Sequence, residues 1–182
     1  MRRSKPKASV KAARSIKVVC RLLVSSSSDE DDFRKPGELI LWNVKQHKAT
    51  LRRKLTAPQA TGYMSLAISS DGRLLATGCG GGLVKLWDIR KGQPLGAVQS
   101  HGFYVAAVAF SPDGNTVAAT GDGHDCYLFD VKTGRKWAVL SANSDEFCDA
   151  RRSLAFSPDS KLVAAGGDDK TIKVWDLSGF VK

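Results

Sequence analysis

Three short stretches carry residue types able to do chemistry. "GHDC" at 123–126 sets His124, Asp125 and Cys126 side by side, the types of a thiol nucleophile with its base and orienting acid. Ser111 and Ser157 each stand two residues before an aspartate, Asp113 and Asp159, which pairs a hydroxyl with a carboxylate. "ATGCGGG" at 76–82 is glycine-rich, as phosphate-cradling loops are, and "DEDD" at 29–32 offers oxygen ligands to a hard cation. None of these survives a check of its setting. Adjacent residues on a strand point to opposite faces, so "GHDC" makes no single cluster and reads as a turn between strands. The glycine run lacks GxxxxGK and a following helix, so it reads as a hairpin turn. The "DEDD" acids sit beside four serines, Ser25–Ser28, in a stretch that reads as a solvated hairpin loop and a target for an acid-directed kinase. His47, His101 and His124 fall in different loops.

The Ser–Asp pairs have a different explanation, because they recur. "LAISSDGRLLATGCGGGLVKLWD" (66–88), "VAFSPDGNTVAATGDGHDCYLFD" (108–130) and "LAFSPDSKLVAAGGDDKTIKVWD" (154–176) are three copies of one unit. The acids Asp71, Asp113 and Asp159 lie 42 and 46 residues apart, as do Trp87, Phe129 and Trp175. A weaker copy precedes them, with Trp42 45 residues before Trp87. A period of this length is the mark of stacked supersecondary units. "SSDG", "SPDG" and "SPDS" are turn chemistry: proline suits the second position of a type I turn, aspartate bonds nearby backbone, and glycine accepts positive φ. The Val/Ile/Leu-rich runs between them predict strands at 64–68, 73–77, 83–88 and 95–99, with the same set repeated from 105 and the first three of the set from 152.

Composition bounds the rest. The 182 residues, 42% hydrophobic, suffice for one medium domain with its own core. Four cysteines show no CxxC pair or zinc-finger spacing, so no metal or cofactor is expected and an intracellular, cytoplasmic protein is. No run of eighteen apolar residues exists, and no membrane partner is expected. Of the net charge of +10, eight basic residues (Arg2, Arg3, Lys5, Lys7, Lys11, Arg14, Lys17 and Arg21) fall in the first 21 with no acid among them. The remainder, with 20 basic and 18 acidic residues, is near neutral. Residues 1–15 therefore read as a disordered basic tail, suited to nucleic acid or to a nuclear or organellar address.

The endings "LWNV" (41–44), "LWDI" (86–89), "LFDV" (128–131) and "VWDL" (174–177) resemble the WD-repeat (WD40) β-propeller family over about residues 16–182. The resemblance implies an all-β chain of four-stranded antiparallel blades, strands a to d, at about 16–60, 61–101, 102–147 and 148–182. Family blades take roughly 40 to 45 residues and at least four are needed for a ring. About three and a half are counted here: one imperfect, two complete and one ending after strand c. An incomplete ring of three to four blades, part of a propeller, is the expectation. The family's Asp–His–Ser/Thr–Trp network is implied only in part, through His101, Asp169 and Trp175. Asp169 lies six residues before Trp175, but Gly81 and Gly123 occupy the matching positions.

The resemblance also implies a binding face on the d–a and b–c loops. These carry Tyr63, Phe103, Tyr104, Phe147, Arg151 and Arg152, of types enriched at binding hot spots. Tyr104 and Arg152 are the leading surface candidates; Tyr63, Phe103 and Phe147 suit packing between blades equally. No nucleophile–base pair stands outside the repeat, so the expected function is a non-enzymatic scaffold for proteins or peptides. Nucleic-acid or ribonucleoprotein association through the tail is the alternative. An uncovered final strand c also predicts self-association through open blade edges.

Overall fold

The computed structural model describes residues 15–19, 22–27, 36–45, 48–55, 62–123, 125–141 and 151–180. Every regular element among them is a strand. The first sheet holds β1 (Ser15–Val19), β2 (Leu22–Ser26), β3 (Leu39–Lys45) and β4 (Lys48–Leu55). The second holds β5 (Tyr63–Ile68), β6 (Leu74–Cys79), β7 (Leu83–Asp88) and β8 (Gln93–Gln99). β9 (Val105–Phe110), β10 (Thr116–Gly121), β11 (Cys126–Asp130) and β12 (Lys136–Leu140) form the third. The fourth contains β13 (Arg151–Phe156), β14 (Leu162–Gly167) and β15 (Ile172–Asp176). Each sheet is an antiparallel meander in chain order. Among the described residues, the sheets stand side by side through β5, β9 and β13 and do not close into a ring.

The a–b turns explain why the chain reverses where it does. Ser69 Oγ donates to Asp71 Oδ1 (2.6 Å) and accepts from Leu74 N–H (2.9 Å), while Asp71 Oδ1 accepts from Arg73 N–H (3.0 Å). Ser157 and Asp159 repeat this toward Leu162 and Lys161, and Ser111 and Asp113 toward Thr116 and Asn115. Donors converging on Asp71 and Asp159, the serine hydroxyl first, hold both carboxyls below their ordinary pKa. The carboxylate is thus a turn fixture and its serine a donor to it, which ends any reading of the pair as a nucleophile.

The core lies between the sheets. Leu39, Leu41 and Leu55 meet Leu66, Leu75 and Trp87 at the first junction. Val84 and Ala76 meet Val108, Val117 and Phe129 at the second, and Leu128 and Leu140 meet Val163 at the third. Alternation along each strand supplies one face to each neighbour, so every inner sheet is apolar on both sides.

Two expectations are corrected. The first blade is not imperfect: it has all four strands, with Leu22–Ser26 pairing Leu39–Asn43 in register. Ser25, Ser26 and Ser27 do not belong to an exposed loop. They are 6%, 2% and 6% exposed at the end of β2, because Trp42 and Tyr63 reach them from neighbouring strands. Ser28 and the DEDD acids, the tail up to residue 14, His47, His124 and Phe147 lie outside the described residues.

Candidate partner-binding face

The d–a segment 100–104 between blades 2 and 3 is fixed from both sides. Ser100 and His101 N–H donate to Gly82 O (2.9 and 3.2 Å), and Gly81 N–H donates to Phe103 O. From blade 3, the Asp122 carboxylate accepts from Phe103 N–H (2.7 Å) and Tyr104 N–H (3.2 Å). Gly82 has φ +73°, and a side chain there would overlap the His101 carbonyl, so this b–c turn requires glycine. The result is a pinned backbone that presents Phe103 with 61% of its surface exposed, while Tyr104 is half-buried against Gly80.

His101 supports this segment from below. Its ring is buried, packs edge-on against Tyr127 at 4.8 Å, meets the Ser100 hydroxyl at Nδ1 (2.8 Å) and donates from Nε2 to Asp125 O (3.4 Å). Burial lowers its pKa below 6.5, against the raising effects of the Asp125 carbonyl and the Asp122 and Asp125 charges. The neutral ring suits this site, because Nδ1 then accepts from the serine.

Farther along the face, Arg152 makes a two-pronged pair with Asp168, Nε–Oδ1 at 2.6 Å and Nη2–Oδ2 at 2.7 Å. Hydrogen bonding and charge raise the arginine's pKa and lower the aspartate's, and Tyr104 adds a smaller effect on Arg152. Both side chains are exposed, so the pair orients the guanidinium more than it stabilises the fold. Arg151 lies in β13 opposite Gly167, and Arg152 falls at the register shift beside it.

Tyr63 is a correction, because it leaves the face altogether. It is 0% exposed and meets Trp87 edge-on at 6.2 Å. Its strand position, opposite Cys79, matches that of Val105 opposite Gly121, which points into the core of the next blade. Its hydroxyl has no hydrogen-bond partner among the described residues, and burial pushes its pKa up.

His101, Asp169 and Trp175 do not form one network. Asp169 holds its own turn, accepting from Thr171 N–H (2.9 Å) and Oγ1 (2.7 Å). Trp175 Nε1 donates to Ser141 O at 3.3 Å, outside its own blade. The indole bonds within a blade are elsewhere: Trp87 Nε1 to Thr77 Oγ1 (3.1 Å) and Trp42 Nε1 to Ser25 Oγ (2.8 Å). Thr77 and Ser25 each sit two residues beyond the tryptophan's direct cross-strand partner, hence on the same face. A search for hydroxyls at that offset would have found them. In blade 3 both members are apolar, Phe129 and Ala119, which leaves no donor unmatched.

No group of three or more His, Cys, Asp or Glu side chains able to hold a metal occurs among the described residues. Cys79 and Cys126 are buried, and burial pushes the Cys126 thiol up to about 12, far from thiolate chemistry at neutral pH.

The family model of the WD domain, G-beta repeat, matches residues 49–88, 92–130 and 138–176. Each match starts in or just before the outer strand of one sheet and ends with strand c of the next, so the sequence repeat stitches adjacent blades together. The chain is 32% identical over 139 residues to WD repeat-containing protein 91 of Pongo abelii, covering 70% of this chain and 19% of that protein. It is 34% identical over 122 residues to Protein tipD of Dictyostelium discoideum, covering 62% and 18%. It is 29% identical over 127 residues to guanine nucleotide-binding protein subunit beta of Oryza sativa, covering 68% and 32%. The chain thus spans about a third or less of the length of these relatives. With three matched repeats laid over stacked antiparallel blades, the chain belongs to the WD domain, G-beta repeat family.

Proposed function

We propose that this chain is a non-enzymatic interaction module that docks a protein or peptide on the face formed by the d–a and b–c loops. Proteins of this family generally act as interaction scaffolds. The observation that carries the reading is Phe103, a large aromatic 61% exposed on a backbone tied to Gly81 and Asp122. An anchor already fixed in place loses little freedom on binding. Tyr104 and the oriented Arg152 beside it extend the surface, with Asp168 supplying a charge of opposite sign. Association with another copy through β15 is a second mode, favoured by Ile172 and Val174 at 74% and 59% exposure.

The test is a selection of random displayed peptides on the full chain, with affinities then measured on variants. Ligands of this face bind Phe103→Ser and Tyr104→Ala about tenfold more weakly than wild type, as loss of a hot-spot aromatic requires. If every ligand binds both variants as tightly as wild type, the face is not the docking surface.

A further inference from the structure

The three junctions between blades are sealed differently at the outer rim, and one is not sealed. In each of the first three blades the strand c–strand d ladder has the same irregularity. Leu41 pairs Arg53 with Arg52 looped between, Leu86 pairs Gly96 with Leu95 looped, and Leu128 pairs Ala138 with Trp137 looped. Arg53, Gly96 and Ala138 are therefore equivalent, as are Arg52, Leu95 and Trp137. At the first junction Arg53 reaches across to blade 2, donates from Nη1 to the Lys91 carbonyl and lies over Gly92. At the third, Trp137 packs edge-on against Phe180 of blade 4 at 6.2 Å. At the second, Gly96 supplies no side chain. A Cβ placed on Gly96, or on Gly134 opposite, meets no described atom within 4 Å. What remains is a groove of 420 Å³, floored by Leu86, Val98, Phe129 and Val131, with Leu95 57% exposed and Lys132 beside it.

The strand beside this groove is itself open. β8 pairs with β7 and with no other described strand, and its sequence QPLGAVQ carries no charge. β4, the equivalent edge of blade 1, is KATLRRKL, and β12 contains Lys136. Charges on an edge deter a further strand, and β8 lacks them beyond Pro94.

We propose that the groove between blades 2 and 3 is a second docking site, which takes an extended segment of a partner protein carrying an aromatic residue flanked by acids. The segment adds its backbone to the Leu95–Gln99 edge. Its aromatic ring lies over the Gly134 turn as Arg53 lies over Gly92 at the first junction, and supplies the kind of aromatic contact that Trp137, from the position of Leu95, makes with Phe180 at the third. A tryptophan or tyrosine there also offers a donor to the Thr133 carbonyl, the counterpart of Lys91 O. The acids answer Lys132 and its neighbours Arg135 and Lys136, since the acid of that turn, Asp130, already accepts from Thr133 N–H and Oγ1 (both 2.8 Å). Lys136 Nζ over the Tyr127 ring at 4.7 Å shows the same cation–aromatic chemistry within blade 3.

The same displayed-peptide selection separates this site from the Phe103 face. Gly96→Arg installs the seal of the first junction, and the free space at Gly96 allows it to fold; its unfolding midpoint is measured alongside. The expected result is a class of peptides with a Trp or Tyr next to Asp or Glu. These bind Gly96→Arg about tenfold more weakly than wild type, bind Lys132→Glu severalfold more weakly, and are indifferent to Phe103→Ser. The absence of any Gly96-dependent peptide, or a Gly96-dependent class without an aromatic residue, overturns the proposal. A wild-type dimer in sedimentation that Gly96→Arg returns to monomer would make the occupant a second copy and overturn it equally.

Discussion

The third strands of blades 2 and 4, LVKLWD and IKVWD, carry nearly the same residues, yet those residues live in different environments. Val84 is 2% exposed and its counterpart Ile172 is 74% exposed. Trp87 is fully buried and bonds Thr77 inside its own blade, whereas Trp175 is half-buried and bonds Ser141 of the preceding segment. The b–c ladders match, so the difference comes from what surrounds them: β7 also pairs with β8 and both its faces are covered, whereas β15 pairs only with β14 among the described residues. Blade 2 lies between two described sheets; blade 4 has a described neighbour on one side. A repeat is thus a half-finished object, and its apolar faces acquire their energy from the next sheet.

The largest effect should come from the tryptophans. Trp87→Ala is expected to cost about 3–5 kcal/mol, the range for a buried aromatic truncated in a core, and Trp175→Ala clearly less. Equal shifts in urea melts would break the comparison.

Next comes the indole's partner. Thr77→Ala leaves the buried Trp87 N–H unmatched and should cost about 1–3 kcal/mol. Phe129 and Ala119 already show blade 3 without either polar group. The double variant Thr77→Ala/Trp87→Phe should therefore be at least as stable as Thr77→Ala, despite the smaller ring. A double variant that loses stability additively would mean that packing of the indole, not its hydrogen bond, sets blade 2 apart.

Asp169→Ala should cost about 1 kcal/mol through its two bonds to Thr171. Asp168→Ala should leave the midpoint unchanged, because the exposed Arg152 pair contributes orientation. Chemical denaturation of both variants reads this directly, and a larger loss for Asp168 would reverse the roles given to the two acids.

A smaller effect is pH-dependent. Burial depresses the pKa of His101, so below about 6.5 the unfolded chain binds the extra proton first. The His101 contribution is complete above that pH and declines as pH falls toward its folded value. The stability difference between wild type and His101→Asn should therefore shrink between about pH 7.5 and 5, a comparison that cancels the aspartates. A difference that stays constant would mean that the ring is not held neutral. Smallest for the fold itself is Ile172→Lys, which should leave the melting midpoint in place. By light scattering it should lower any concentration-dependent association of the full chain, and association undiminished by this charge would remove β15 as the contact.

The strands and turns were legible in the sequence because their causes are local. The Ser–x–Asp turns close through bonds spanning two to five residues, and alternation of apolar residues sets each strand. The strands predicted from residue 64 onward agree with β5–β15 to within a residue or two. The first blade was harder to read, because Trp42 finds its hydroxyl at Ser25, within a serine run that resembles a loop. On the candidate face, Phe103 and Tyr104 could be placed on a loop from sequence, but their exposure could not. Tyr63, in a comparable position by pattern, turns inward.

The sequence alone determined a repeating unit with two apolar faces and turns that reverse without help. Only the tertiary structure decided which faces are covered. It set Tyr63 under Trp87, joined Arg152 to Asp168, and left the second junction open while Arg53 and Trp137 closed the others. The physical reason is distance along the chain. Turn bonds reach a few residues, whereas each junction joins side chains from successive repeats. A glycine at position 96 is an ordinary strand residue until the neighbouring blades show what stands in its place.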